Sequence, residues 1–496
     1  MVWSRKAGCH AVCRPCRDRG LDLNTAHNAT APSRRDFIRG LSAAALAAPG
    51  CSVETERPPN ILFLLTDDQR ADALGCADNP IVRTPNVDRL AEQGVLFENS
   101  FVTTSICAVS RASFLTGQYA RTHGIHGFRT PLTAEQHAAS YPALLRAAGY
   151  RTGFIGKYGV GRTLPRERFD VFEGFSGQGR YFREIEGRRV HLTKVMGVQA
   201  LDFLDGCSDE TPFCLSVSFK SPHVQDREPP YFLNDPAYDH LYEDVTIPPA
   251  AKSDPDIHAA LPAFLRGDYE GRIRWERRFG TEERYQESVK RYYRLISGVD
   301  TQVGRIMDKL RERGWDDNTV VIYTADNGFF LGEWGWAGKW LTHEESIRTP
   351  LIIRDPRRKH TAGARRPETA LNIDMAPTIL EVAGVDVPVS MQGRSLAPFL
   401  QGHSPEWRTE WFYEHLFEHR TIPKTEAVRG ARWKYTRYLE TDPAFEELYD
   451  LEADPDELVN LARTGDRELE AMRERLRTWR EHLEGWDRES PWTDPA

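Results

Sequence analysis

At 496 residues the chain is too long for one small core and suits a large domain with a lesser one. Charged residues make up 28% and hydrophobic ones 40%, which excludes a disordered chain. The net charge of −8 argues against a general nucleic-acid binder, which would carry a basic surplus, and no run of about 18 apolar residues is present to cross a bilayer.

Residues 1–57 read as a leader and linker. Ser33-Arg-Arg-Asp-Phe-Ile38, followed by an alanine-rich run to Ala48, resembles a twin-arginine export signal. Export machinery is therefore an expected partner, and the expected location is periplasmic or extracellular. Cys51 is a candidate lipid-attachment residue, although the usual leucine three positions earlier is missing. Cys9, Cys13 and Cys16 lack an evident fourth zinc ligand. Cys207 and Cys214 are candidates for a disulfide, which spacing alone does not establish.

Pro58-Pro59 opens the expected main domain, 58–403. Asn60-Ile-Leu-Phe-Leu-Leu-Thr66 is a nearly continuous apolar run, as in a parallel strand buried on both faces. It ends in Asp67-Asp68, and in open α/β sheets the ligand crevice lies at such carboxyl ends. Two adjacent carboxylates in an apolar surround repel unless a metal joins them. Thr84-Pro85 starts a helix that Gly94 stops. In Ser105-Ile-Cys-Ala-Val-Ser-Arg-Ala-Ser-Phe-Leu-Thr-Gly117, Ser110 suits an N-cap or first turn and Gly117 a helix stop. Cys107 is then expected just before a helix N-terminus, where free N–H groups and Arg111 favour an anion.

Ser140 to Gly149 repeats the helix design, and the strand Thr152–Gly156 ends on Lys157. Gly174 to Val190 is rich in glycine, aromatics and arginine, and reads either as a solvated loop or as a pocket whose rings pack on a sugar and whose guanidiniums pair with its anions. Phe213–Phe219 is another buried strand, followed by Pro222-His223; a histidine there suits proton donation to a leaving oxygen. Residues 226–280 show no clear period. Val289, Tyr292, Ile296, Val299, Val303, Ile306 and Leu310 then mark one long amphipathic helix ending at Gly314. The strand Thr319–Ala325 ends in Asp326-Asn327. With Asp67 and Asp68 these give oxygen donors that suit a hard divalent cation, Ca2+ first and Mg2+ second. Lys339 follows, among Trp334, Trp336 and Trp340, which either line a cleft or pack beneath a loop. Met375–Ala383 reads as a helix. From 404 to 496 short alternating strands (Glu410–Tyr413, Ala427–Arg429, Trp433–Thr436) and a last helix on Leu469, Met472, Leu476, Trp479 and Leu483 predict a smaller α+β subdomain.

Taken together, C-x-x-S-R-A-S-x-L-T-G at Cys107, the Asp67-Asp68 and Asp326-Asn327 strand ends, Gly156-Lys157, Pro222-His223 and His343-Glu-Glu-Ser-Ile-Arg-Thr-Pro350 resemble the type I sulfatase family. That resemblance implies an alkaline-phosphatase-like α/β fold, a large mixed sheet flanked by helices. It implies a hydrolase that removes sulfate from a sulfated carbohydrate or other sulfate ester, and a formylglycine-generating enzyme that oxidises Cys107 to formylglycine. By the same resemblance, Asp67, Asp68, Cys107, Asp326 and Asn327 hold the metal. Arg111 aids the nucleophile, Lys157 and Lys339 neutralise sulfuryl oxygens, and His223 protonates the leaving alcohol. Two positions depart from the pattern: Val109 stands where proline or alanine is usual, and Gly159 where many members have histidine. Phosphonate or phosphate ester hydrolysis on the same scaffold, and an unmodified sulfated-glycan binder, remain alternatives.

Overall fold

A computed structural model describes residues 57–225, 229–465 and 467–495. The leader motif at Ser33–Ile38, the early cysteine cluster and Cys51 lie outside these residues. Eight strands form the main sheet: β1 (Asn60–Asp67), β2 (Val95–Phe97), β3 (Arg151–Lys157), β4 (Val171–Phe175), β5 (Phe213–Pro222), β6 (Thr319–Ala325), β7 (Leu351–Arg354) and β8 (Ala364–Arg366). Their spatial order is β8-β2-β7-β6-β1-β5-β3-β4. The five strands from β6 to β4 run parallel, whereas β7 runs antiparallel to both β6 and β2. The sheet is mixed, as expected.

Strand β1 is central and buried along its whole length, which explains its unbroken apolar sequence. Leu64 sits opposite Val217 on one side and Tyr323 on the other. Its alternate residues feed two cores. Leu62 and Leu64 join the long helix α5 described below; Ile61, Phe63 and Leu65 join the opposite face. Each such side chain contributes about 1.5–3 kcal/mol by leaving water.

Seven helices matter for the site: α1 (Pro85–Glu92), α2 (Cys107–Thr116), α3 (Tyr141–Ala147), α4 (Leu192–Asp205), α5 (Glu282–Glu312), α6 (Met375–Val382) and α7 (Arg467–Gly485). Helices α1, α4 and α5 cover one face of the sheet, while α2, α3 and α6 cover the other. The predicted stripe of α5, from Val289 to Leu310, is buried throughout, and Gly314 ends the turn at φ +68°. The aperiodic stretch before it folds into three short helices, Pro255–Ala260, Ala263–Arg266 and Glu270–Arg278. Each is too short for a period to show.

Two expectations are corrected. Helix α2 begins at Cys107 itself, because extended Ile106 is the N-cap; Ser110 sits inside the helix, its Oγ accepting from Asn372 Nδ2 at 3.0 Å. Cys207 and Cys214 are both free thiols. Alternation along β5 sends Cys214 into one core while Cys207 packs in the other, across the sheet.

The C-terminal sheet is antiparallel, with β9 (Glu410–His415), β10 (Thr425–Gly430), β11 (Trp433–Tyr438) and β12 (Glu446–Asp450) in sequential order. Helix α7 docks on it through Leu469, Met472, Leu476, Trp479 and Leu483. Trp479 is fully buried, stacks on Phe412 at 6.3 Å and donates from Nε1 to Glu410 Oε1 at 2.9 Å. Trp479→Ala is therefore expected to lower stability by about 3–5 kcal/mol, read as a shift of the denaturant midpoint; a shift under a quarter of that would show that α7 contributes little.

Candidate active site

The carboxyl ends of the parallel strands converge on Cys107. Asp67 is the last residue of β1, and Asp68 turns away at φ +64°, a left-handed conformation that aspartate tolerates better than most residues. That turn lets Asp68 N donate to Asp326 Oδ1 at 3.1 Å. Asn327 Nδ2 donates to Asp68 Oδ1 at 2.6 Å. Cys107 Sγ donates to Asp67 Oδ1 at 3.3 Å and accepts from Lys339 Nζ at 3.1 Å. Lys157 Nζ pairs with Asp67, and Lys339 Nζ with Asp68.

Arg111, one turn into α2, reaches back under the cysteine. Its Nε donates to Asp326 Oδ2 at 2.9 Å and its Nη1 to the Lys157 carbonyl at 2.6 Å. A further Nη1 bond goes to Ser218 Oγ. His223 places Nε2 3.5 Å from Asp68 Oδ2. Its Nδ1 donates to the Val224 carbonyl at 2.7 Å, which leaves Nε2 as the nitrogen free to take a proton. Every one of these side chains is buried.

Burial sets the protonation pattern. It would raise Asp67, but Lys157, His223, Arg111 and Lys339 outweigh it and hold that carboxyl well below the usual range. Burial, opposed by Lys339, leaves Asp68 raised. Burial and then Asp67 push Asp326 up to about 6. The Cys107 thiol is driven to about 12 by burial and by Asp67, so as encoded it is protonated and a poor nucleophile. Burial also holds His223 well below the ordinary imidazole range, with Lys339, Lys157 and Lys220 adding to it against Asp67.

Ligand atoms of Asp67, Asp68, Cys107 and His223 all lie within 4.8 Å of one another. Asn327 Oδ1 is buried with no hydrogen-bond partner among the described residues, while its Nδ2 bonds Asp68. A donor set of carboxylate and amide oxygens fits a hard divalent cation.

A family model for sulfatases matches residues 59–385. The chain belongs to the sulfatase family. A second model, described as the C-terminal part of N-sulphoglucosamine sulphohydrolase, matches residues 332–484 of this sulfatase-family hydrolase. The N-acetylglucosamine-6-O-sulfatase of Bacteroides thetaiotaomicron is 29% identical to it, over 85% of this chain and 86% of its own. The multifunctional alkaline phosphatase superfamily protein PehA of Trinickia caryophylli is also 29% identical, over 81% and 91%. A solved structure described in complex with its substrate D-glucosamine-2-N,6-O-disulfate superposes with a TM-score of 0.72 at 26% identity, over 87% of this chain and 99% of that one.

All nine residues singled out in the sequence meet in this one cluster, and His223 comes closer to the carboxylates than its expected role required. Three contributors escaped notice. Ser218 lies between Arg111 and the Lys157 carbonyl, donating to the latter at 2.8 Å; its signal was that it is one of several serines in a buried strand, since a buried hydroxyl needs a partner. Gln178, exposed between two glycines, accepts from buried Lys157 Nζ at 2.8 Å and so links the site to solvent. Tyr181 donates to the His223 carbonyl at 2.5 Å. In the hairpin Phe182–His191, Arg189 covers Phe182 at 3.9 Å, and Arg183 covers Phe175 of β4 at 5.5 Å. Trp334, Trp336 and Trp340 are buried against Tyr269 and Phe330, which is packing beneath a loop.

Gly159 is explained by its neighbour. Its φ is +78°, and a Cβ there would meet Arg111 Cδ at 2.7 Å. A histidine at 159 is incompatible with this placement of Arg111. Gly159→Ala is expected to cost about 1–3 kcal/mol in stability from the left-handed backbone alone, read by thermal denaturation, and to lower turnover by displacing Arg111; an unchanged kcat would separate the arginine from catalysis.

Proposed function

We propose that the protein hydrolyses sulfate esters of a sulfated carbohydrate, with Cys107 converted to formylglycine and with Ca2+ or Mg2+ held by Asp67, Asp68, Asp326 and Asn327. The observation that carries this reading is Cys107 at the first position of α2, with Lys339 and Asp67 in hydrogen-bond contact and Arg111 beneath it. The carbohydrate class is supported by the relatives, one named as an N-acetylglucosamine-6-O-sulfatase and one solved with a sulfated glucosamine.

The hydrated aldehyde supplies an oxygen nucleophile and a second hydroxyl whose deprotonation expels sulfate. A bound divalent cation supplies charge neutralisation for the sulfuryl oxygens. The remaining work falls to the chain's own side chains. Lys339 and Lys157 place two ammonium groups beside residue 107, where negative charge accumulates in the transition state. Arg111 is locked by Asp326, Ser218 and the Lys157 carbonyl, so it orients the nucleophile without reorganising. His223 is fixed through Nδ1 and handles its proton at Nε2. Neutral in this buried setting, it becomes protonated more readily when an anionic ester arrives beside it, and can then give that proton to the leaving oxygen. Gln178 is the contact through which a substrate group outside the sulfate would reach Lys157.

Peptide mass spectrometry of the natively expressed protein is expected to find residue 107 with the mass of the aldehyde in a fraction that tracks activity, and Cys107→Ala is expected to be inactive. Asp326→Asn keeps an oxygen donor but removes the negative charge that would hold the cation and that pairs with Arg111. Metal content and kcat/KM should fall together in that variant, the latter by about 100-fold or more; an active, metal-free Asp326→Asn enzyme would remove the cation from this scheme.

The similarity to a multifunctional alkaline phosphatase superfamily protein gives a second reading, phosphonate or phosphate ester hydrolysis at the same residues. Matched aryl sulfate and aryl phosphonate esters distinguish the two. Preference for the sulfate by about tenfold or more in kcat/KM, a difference of about 1.4 kcal/mol, is expected; the reverse preference would assign the second activity.

A further inference from the structure

Lys339 is the catalytic candidate with the least regular support. It lies outside the main sheet, on a segment where Gly338 has φ +112° and Trp340 φ +88°. A bulky aromatic residue rarely adopts a left-handed backbone, and such strain persists only where surrounding contacts over-determine it. Those contacts are hydroxyl groups from two other parts of the chain. Tyr269, from the stretch before α5, donates to the Lys339 carbonyl at 3.0 Å. Tyr413, on β9 of the C-terminal sheet, donates to the Trp340 carbonyl at 3.0 Å.

Tyr413 does more than hold one end. The same hydroxyl oxygen accepts from Ser105 N–H at 3.3 Å, two residues before Cys107. One buried phenol therefore bridges the residue after Lys339 and the approach to the nucleophile. Burial keeps that phenol above its ordinary titration range, so the proton needed for the Trp340 bond is retained.

The register of the C-terminal sheet shows why Tyr413 faces this way. Tyr413 lies opposite Ala427, Ala427 opposite Thr436, and Thr436 opposite Glu447. Residues directly opposite across a sheet share a face, so these four form one row. Thr436 Oγ1 meets Thr342 Oγ1 at 2.7 Å, and Lys434, two residues earlier on the same face, donates to the Thr342 carbonyl at 2.8 Å. The small Ala427 leaves space between the two gripping positions. The row and Lys434 together thus hold residues 340 and 342.

We infer that Tyr413 is a positioning residue: supplied by the C-terminal sheet, it sets Lys339 against residue 107 by bonding Trp340 and Ser105 through a single hydroxyl, with Tyr269 as the second clamp. This rests on the proposed role of Lys339 in neutralising the ester's charge.

The test is a double-mutant cycle on the full-length enzyme with 4-nitrophenyl sulfate, comparing wild type, Tyr413→Phe, Lys339→Ala and the double variant. Loss of alignment should lower kcat/KM of Tyr413→Phe by about 10- to 100-fold, while adding Tyr413→Phe to Lys339→Ala should cost less than about twofold, because the group it positions is already gone. Equal factors in both backgrounds would overturn the inference. Leu448→Ala, a core truncation on the same sheet, controls for general destabilisation and should keep wild-type kcat/KM well below its melting temperature; a loss matching that of Tyr413→Phe would also overturn it. If Tyr413→Phe does not fold, Tyr269→Phe carries the same cycle with the same expected non-additivity. If the wild type turns over no sulfate ester, the functional reading fails separately, and the cycle is read instead on a phosphonate monoester or, with no turnover at all, on inorganic sulfate affinity by calorimetry.

Discussion

Three carboxylates and three cations are buried together in one site, and their mutual neutralisation is the constraint on which the rest depends. Asp67, Asp68 and Asp326 are all buried, as are Arg111, Lys157 and Lys339. A single unpaired charge in such surroundings costs several kcal/mol, and removing one partner strands another. Each side chain must therefore arrive from its own element at one point. Parallel strands with aligned carboxyl ends do this efficiently: β1, β3, β5 and β6 deliver Asp67, Lys157, His223 and Asp326 at or just past their last residues. Arg111 is the most constrained member, since it joins Asp326 to the Lys157 carbonyl while Gly159 makes room for its stem.

Charge neutralisation of this kind does not favour folding over an apolar alternative of equal volume. The stability that supports it comes from the two apolar layers on either face of β1, one of which includes the buried stripe of helix α5. Most side chains along the strands pack, and the carboxylates and cations of the site gather at the strand ends, with Ser218 reaching them from within β5.

That division also decides what was legible in the sequence. Asp67-Asp68 and Asp326-Asn327 could be read because each terminates an uninterrupted apolar run, and that pattern implies both burial and position at a strand's carboxyl end. The α5 stripe and the α7 face were legible from period alone. Ser110 was ambiguous for a local reason: serine suits a cap or a first turn, and it lies in the first turn because the extended backbone of Ile106 starts α2 without any side-chain bond. Gln178 and Tyr413 carry no local signal. Tyr413 and Ser105 are 308 residues apart, and only the folded register of the C-terminal sheet brings them together. The tryptophans were ambiguous because an aromatic cluster looks the same in sequence whether it faces a ligand or, as here, a loop.

The same balance governs residue 107. Three cations stand around the thiol, yet it remains protonated, because burial and the adjacent Asp67 oppose ionisation more strongly than Lys157 and Lys339 assist it. Lys157 pairs with Asp67, and Lys339 divides its ammonium between Asp68 and the Cys107 sulfur. A site meant to run on a thiolate would spare at least one of them, since cysteine nucleophiles gain their reactivity from an uncommitted positive neighbour. Here the cations are shared with carboxylates instead, and the encoded sulfur stays protonated. Under the reading proposed above, an oxygen nucleophile made by oxidising that side chain would need no thiolate, so a buried, protonated thiol is no obstacle to it.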